Sequence, residues 1–298
     1  MKKNALLFRG TGTALVTPFT RKGDIDEQAL RRLVDFQIAG GVEALLPTGT
    51  TGESVTLDED EQARVVAIVA DQARGRVPVI AGAGSNATRK AISLAKRVLD
   101  AGADGVLIVA PYYNKPTQEG LFQHYEAIVD AIDAPVIVYN VPGRTASNIE
   151  AATALRIAEL PNIAGIKEAS GNIGQVMEIL RNRPAGFAVW SGDDAVTLPF
   201  VALGADGVVS VVSNEVPKEF SKMVRSCLAG EFTAARKAHE RLLPLMNVNF
   251  IESNPIPVKA ALAMMGLIEE EYRLPVVPLQ ESNRPKLKAV LRELGLVK

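Results

Sequence analysis

Cysteine is nearly missing from this chain: Cys227 is the only one in 298 residues. An internal disulfide is thereby excluded, and the composition fits a reducing compartment, for which the cytoplasm is expected. Histidine is scarce as well. His124 and His239 are the only two and lie far apart, so no clustered His/Cys set is available for a catalytic zinc. Charge of one sign is not in excess: 33 Lys and Arg face 34 Asp and Glu, a formal net charge of −1. That balance offers no basic field to nucleic acid or anionic lipid. No apolar run approaches membrane-spanning length, and the few apolar residues between Met1-Lys2-Lys3-Asn4 and Arg9 are too short for a signal-peptide core.

What is present suits a globular α/β protein: 47% hydrophobic and 22% charged residues over a length of one large domain or two small ones. Short runs rich in Val and Ile recur at 13–17, 42–47, 77–81, 105–110, 135–139, 163–167, 187–191 and 207–211. Amphipathic helix-period stretches such as 27–38, 60–72, 89–99 and 119–132 separate them. Strand–helix alternation of this kind predicts a (β/α)8 TIM barrel over residues 1–215, with an open doubly wound sheet as the other architecture periodicity allows.

Three corners look alike: Ala39-Gly40-Gly41-Val42, Ala101-Gly102-Ala103-Asp104-Gly105-Val106 and Leu203-Gly204-Ala205-Asp206-Gly207-Val208. Glycine after a helix supplies a left-handed cap before the next strand, so these corners belong to the stability end of a barrel and carry no chemistry. Residues 216–298 hold no clear strand and are expected to form a C-terminal helical extension, with helices near 234–246 and 257–265. Asn254-Pro255-Ile256-Pro257 reads as a helix start capped by the Asn254 amide, and Lys259 as a solvated helix lysine.

One strand is out of character. Ile166-Lys167-Glu168-Ala169-Ser170 places a lysine near the C-terminal end of an otherwise apolar run. Burying an ammonium is costly unless it is paired or used. A nearby carboxylate would hold it; alternatively, burial favours the neutral amine, which attacks carbonyls to form Schiff bases. Barrel chemistry sits at the C-terminal strand ends, so the other ends discriminate between the two. They hold Gly49-Thr50-Thr51-Gly52-Glu53, Pro111-Tyr112-Tyr113-Asn114, Tyr139 through Arg144 and Thr145, Ser191-Gly192-Asp193-Asp194, and Ser210 through Asn214. The Gly49–Glu53 stretch offers backbone N–H groups and two hydroxyls suited to a small carboxylate, or is an ordinary turn before a helix starting near Asp58. Tyr139 lies on the strand next to Lys167, where a phenol can pass protons. Arg144 offers a fork for a substrate carboxylate or for a surface ion pair.

Other signals fail. Gly82-Ala83-Gly84-Ser85-Asn86-Ala87 matches a relaxed dinucleotide fingerprint, yet the next strand ends in Val109-Ala110-Pro111 without the required acid. A phosphate subsite after the last two strands is opposed by Asp193 and Asp194.

These stretches taken in order, from Gly12-Thr13-Ala14 to Asn254-Pro255, resemble the dihydrodipicolinate synthase family within the pyruvate-dependent class I aldolase and N-acetylneuraminate lyase group. The resemblance implies that Lys167 forms a Schiff base with pyruvate, that Tyr139 donates and accepts protons, and that Thr50 and Tyr113 complete a relay. It implies that Thr51 and the backbone at Val209 bind pyruvate, that Gly192 is a further substrate-binding position, and that Arg144 takes the carboxylate of L-aspartate 4-semialdehyde. It implies no metal or organic cofactor, and a homotetramer in which Tyr113 crosses a subunit interface. Thr50 and Gly143-Arg144-Thr145 favour the synthase over N-acetylneuraminate or 2-keto-3-deoxygluconate cleavage, and a proton relay argues against a non-catalytic keto-acid-binding barrel. The family's L-lysine effector site matches Ser54, Glu59, Gln62, Asn86, Lys90 and Tyr112. Here Lys90 stands where an acid is expected, which disfavours lysine's ammonium.

Overall fold

In the computed structural model, residues 7–298 are described; the start Met1–Asn4 lies outside them. Eight parallel strands run β1 Gly10–Ala14, β2 Ala44–Leu46, β3 Ile80–Gly82, β4 Gly105–Val109, β5 Val136–Asn140, β6 Ile163–Glu168, β7 Ala188–Ser191 and β8 Gly207–Ser210. Their order is β2-β1-β8-β7-β6-β5-β4-β3, and a parallel bridge from Leu45 to Val79 joins the two ends. The sheet is therefore the barrel expected from the alternation, and the open doubly wound alternative is set aside. The first strand begins three residues earlier than its apolar run suggested, because Thr11 and Thr13 are buried in it with their backbones paired to Val208 and Ser210.

Successive residues of each strand face opposite ways. One set of side chains, including Ala14, Leu46, Leu107, Ile137, Trp190 and Val209, fills the barrel, and Phe8 stacks on Trp190 at 4.7 Å between ring centroids. Gly165 on β6 makes room for that indole: a β-carbon there would lie 2.7 Å from Trp190 Cζ3 and 2.3 Å from the Ala188 carbonyl oxygen. The other set, such as Val106, Ile108, Val136, Val138 and Ile166, packs outward under the helices.

Those helices are α1 Glu27–Ala39, α2 Glu59–Ala73, α3 Thr88–Asp100, α4 Gln118–Ala131, the single turn α5 Pro142–Thr145, α6 Ala151–Ala158, α7 Ile173–Asn182, α8 Thr197–Ala202 and α9 Pro217–Leu228. In α3, Ala91, Leu94, Ala95 and Val98 form the buried stripe that a 3.6-residue period places on one face. Helix α2 starts with a reciprocal cap: Glu61 N donates to Asp58 Oδ1 at 2.8 Å, and Asp58 N donates to Glu61 Oε2 at 3.1 Å. Such caps contribute about 1 kcal/mol. Helix α9 packs against α8, α1 and β1 and takes the eighth place in the ring. Beyond it, α10 Phe232–Val248, α11 Ile256–Met264 and α12 Arg284–Glu293 share a core of their own with α9, built on Phe220, Leu245, Ala261 and Leu287.

The three look-alike corners are stitches at the barrel's lower end. Gly41, Gly102 and Gly204 have φ of 82°, 102° and 104°. Asp104 accepts from Val79 N at 2.8 Å and Asp206 from Val189 N at 2.9 Å, tying the second and third corners to the start of a neighbouring strand. No described helix is long and apolar enough to cross a membrane.

Candidate active site

Lys167 projects into the barrel from β6, next to Tyr139 on β5 and Trp190 on β7 in the strand register. Its side chain is buried, with 7% of the residue exposed, and its Nζ lies 4.1 Å from the centroid of the Tyr139 ring. Among the described residues it forms no ion pair. The nearest acid in sequence, Glu168, leaves the strand on the opposite face. There its Oε2 accepts from Asn140 Nδ2 at 2.9 Å and Gln175 Nε2 at 3.1 Å, and its Oε1 from Ser170 N at 2.6 Å. The reading of Lys167 as a carboxylate-held structural lysine is thereby removed. Strand alternation, a local property, separates the amine from the acid beside it.

The Glu168 network also sets the neighbouring loop. Asn140 donates to Asn148 Oδ1 at 2.9 Å and accepts from Ile149 N at 2.9 Å, closing the segment that contains α5. Arg144 stands exposed on α5, and it borders the same cavity as Lys167 and Tyr139. That cavity, about 660 Å³, opens at the C-terminal strand ends and is also walled by Thr50, Thr51, Gly192 and Asp193. Its size suits two small substrates side by side. Gly192 is required by close approach: a β-carbon there would meet Lys167 Cε at 3.1 Å and Ala169 Cβ at 2.7 Å.

The Gly49–Glu53 turn precedes a short 3₁₀ helix and then α2. It closes on itself through Gly52 N to Gly49 O at 3.1 Å and Glu53 N to Thr50 O at 3.1 Å. Thr51 is buried, and its Oγ1 accepts from Asn254 Nδ2 at 3.0 Å. This corrects the sequence reading of Asn254 as a helix cap. No side chain caps α11, and the amide reaches across the chain to the turn instead.

Lys259 needs the larger correction. It is fully buried rather than solvated, and it forms an ion pair with the equally buried Glu53. Desolvation pushes its ammonium below the usual lysine range, while the Glu53 charge opposes that shift. The α11 surface on which it lies is covered by the turn and by Phe19, a long-range contact that sequence periodicity does not reveal.

Two other expected residues stand apart from the cavity wall. Tyr113 is 89% exposed at φ 74°, with its N–H donated to Thr145 O at 3.3 Å, so its ring extends away from its own barrel. Val209 lies within the barrel packing, and Val211 borders the cavity two residues on. Of the two acids after β7, only Asp193 borders it. Asp194 turns into the wall, where its Oδ2 accepts from Val211 N at 3.0 Å and Val212 N at 2.9 Å, fixing the loop after β8. Burial raises its pKa to about 6. The dinucleotide-like glycines are explained by packing, since a β-carbon on Gly82 would meet the Thr48 carbonyl oxygen at 2.2 Å.

The cavity continues past Thr51 to Ser54, Glu59, Gln62, Asn86, Lys90 and Tyr112. Lys90 is exposed there, and Glu59 lies 3.7 Å from Arg97, whose nearer partner is Asp60.

The whole chain has clear relatives. The model of the family described as dihydrodipicolinate synthetase matches residues 7–294. The chain is similar to the 4-hydroxy-tetrahydrodipicolinate synthase of Koribacter versatilis, with 54% identity over 97% of both chains. To the enzyme of that name from Chloroherpeton thalassium it is 55% identical, over 97% of this chain and 96% of that one. Its fold is similar to the crystal structure of dihydrodipicolinate synthase from Thermotoga maritima, with a TM-score of 0.96, 48% identity, and 98% and 100% of the two chains covered.

Proposed function

The chain belongs to the dihydrodipicolinate synthetase family, and on that premise we propose how its residues divide the reaction. The activity is condensation of pyruvate with L-aspartate 4-semialdehyde to 4-hydroxy-tetrahydrodipicolinate, the first committed step towards lysine through diaminopimelate. The observation that carries the residue assignment is an unpaired, buried Lys167 amine over the Tyr139 ring at the barrel mouth.

The free amine of Lys167 adds to the pyruvate ketone and gives a carbinolamine. Tyr139, with Thr50 and Tyr113 in relay, delivers the proton that lets water leave, and an iminium remains. The iminium acidifies the pyruvate methyl group, which returns a proton to the Tyr139 oxygen, and the resulting enamine carbon attacks the aldehyde. The aldehyde oxygen takes a proton as it becomes a hydroxyl. The amine of the second substrate then adds to the iminium carbon, closing the ring as Lys167 leaves as the free amine. The lysine itself is the electron sink.

Thr51, with the Val209 backbone, holds pyruvate, and Arg144 receives the carboxylate of the semialdehyde through its planar fork. Gly192 leaves the lysine room to move between its free and imine forms. The exposure of Tyr113 supports a neighbouring copy as its destination, and exposed apolar side chains of Ile173, Met177, Leu203 and Phe232 support further subunit contact. We read the assembly as a homotetramer working in the cytoplasm.

A condensation assay with both substrates, run beside N-acetylneuraminate and 2-keto-3-deoxygluconate cleavage, tests the activity. Turnover in the condensation alone is expected. Cleavage of either sugar acid at a comparable kcat/KM would overturn the substrate assignment.

A further inference from the structure

We propose that the C-terminal helices position the pyruvate-binding turn from outside the barrel, through the Lys259–Glu53 ion pair and the Asn254–Thr51 hydrogen bond. The proposal rests on the roles given above to Thr50 and Thr51, and extends them to residues that touch neither substrate.

Glu53 closes the turn in the left-handed region, at φ 53°, a conformation a non-glycine residue adopts only when its surroundings hold it. Its carboxylate is held on both oxygens by the C-terminal region: Lys259 Nζ pairs with Oε1, and Arg273 N donates to Oε2 at 3.4 Å. The Lys259 ammonium lies over the Phe19 ring at 4.3 Å and the Tyr272 ring at 5.0 Å. Arg273 is anchored in turn, with its guanidinium nitrogens 2.7 Å from both Glu61 oxygens. The clamp therefore bears on the ring helix α2 and is not a loose flap.

A buried ion pair is a poor source of net stability, because desolvation offsets the attraction, and a well-packed apolar pair would serve the fold as well. What it enforces is location. If the turn moved away, two charges would be left buried and unpaired.

The Asn254 bond adds direction. A threonine hydroxyl has one proton to donate and lone pairs to accept with. Asn254 Nδ2 occupies the accepting side of Thr51 Oγ1, so the Thr51 proton is free to be donated elsewhere. Thr51 borders the cavity, where an anionic carboxylate is the acceptor that proton fits. Asn254 and Lys259 are thus positioning residues for the half-reaction with pyruvate.

The test compares Asn254→Ala, Lys259→Met and Thr51→Val. Asn254→Ala and Lys259→Met should each lower kcat/KM for pyruvate by about 10- to 100-fold, the scale of small misplacements near a reacting centre. The KM for L-aspartate 4-semialdehyde, held from another loop by Arg144, should change less than about 2-fold in both. In a double-mutant cycle, Asn254→Ala should have little further effect once Thr51 is Val, because it acts through that hydroxyl. A merely structural role would lower thermal stability and disturb both substrates alike, without that coupling. If Lys259→Met does not fold, the Asn254 cycle alone decides. Folded variants with unchanged pyruvate kinetics, or fully additive effects, would overturn the proposal. If Thr51→Val itself leaves pyruvate kinetics intact, the fault lies instead with the role given to Thr51.

Discussion

Gly192 is a glycine because of Lys167. A β-carbon at residue 192 would stand 3.1 Å from the lysine Cε and 3.3 Å from its Cγ, and 2.7 Å from Ala169 Cβ. Gly192→Ala should push the lysine stem off its position and lower kcat by roughly 100-fold, with a stability loss of about 1–3 kcal/mol from overpacking. Steady-state kinetics and thermal melts of the variant check both numbers. Wild-type turnover in Gly192→Ala would show that the lysine has room to spare.

Lys167 should be trapped by its substrate. Incubation with pyruvate and borohydride is expected to leave a reduced lactyl-type increment on the peptide carrying Lys167, because reduction turns its imine into a stable secondary amine. Peptide mapping by mass spectrometry reads the position. An adduct on another lysine, or none, would remove the mechanism.

Tyr139→Phe should keep its ring under the Lys167 amine, which lies 4.1 Å from the centroid, and lose only the hydroxyl. The expected outcome is a melting temperature near wild type with kcat lowered about 10²–10⁴-fold, the range for a positioned acid–base group. Near-normal turnover would take Tyr139 out of the proton path.

L-Lysine should inhibit weakly or not at all at millimolar concentration. Lys90 adds a cation to the branch of the cavity whose residues the family resemblance assigns to an effector site, and Glu59, the acid that could offset it, lies 3.7 Å from Arg97. Titrating L-lysine into the condensation assay decides this. Strong inhibition at low concentration would mean that Lys90 does not face the effector's ammonium.

Stability should fall at acid pH in a way His124 controls. Its ring is buried on α4, with Nδ1 3.0 Å from Thr88 Oγ1, and burial lowers its pKa to about 4. The unfolded chain, with histidine near 6.5, takes up this proton first. Between those values the unfolded state binds more protons, so stability is lost as pH falls through that window, by on the order of 3 kcal/mol in all. Asp194, raised to about 6 by burial, has the opposite sign: its contribution is present at low pH and lost as pH rises through 6. Denaturant titrations of wild type and His124→Gln from pH 7 to pH 4 separate the two. The variant's advantage should grow as pH falls, and parallel curves would exclude His124.

The strand–helix alternation and the out-of-place lysine were legible in the sequence because both are local pattern. Eight Val- and Ile-rich runs alternating with amphipathic helices specify a parallel sheet with its chemistry at the strand ends, and the Leu45–Val79 bridge closes that sheet into a barrel. Lys167 stood out because one ammonium in an apolar strand is costly wherever the strand goes. The two-residue period of that same strand also decides that Glu168 faces away from it. Tertiary structure alone decided the residues whose partners lie far along the chain. Lys259 and Asn254 look like an ordinary helix lysine and an ordinary helix cap until the C-terminal helices fold back on the turn at Thr51 and Glu53, more than 200 positions earlier. Helical periodicity reports which face is apolar, and it carries no information about a charged residue covered by a distant segment with a matching charge. Burial of that kind is a property of the closed fold, and only there does a solvated lysine become a buried one.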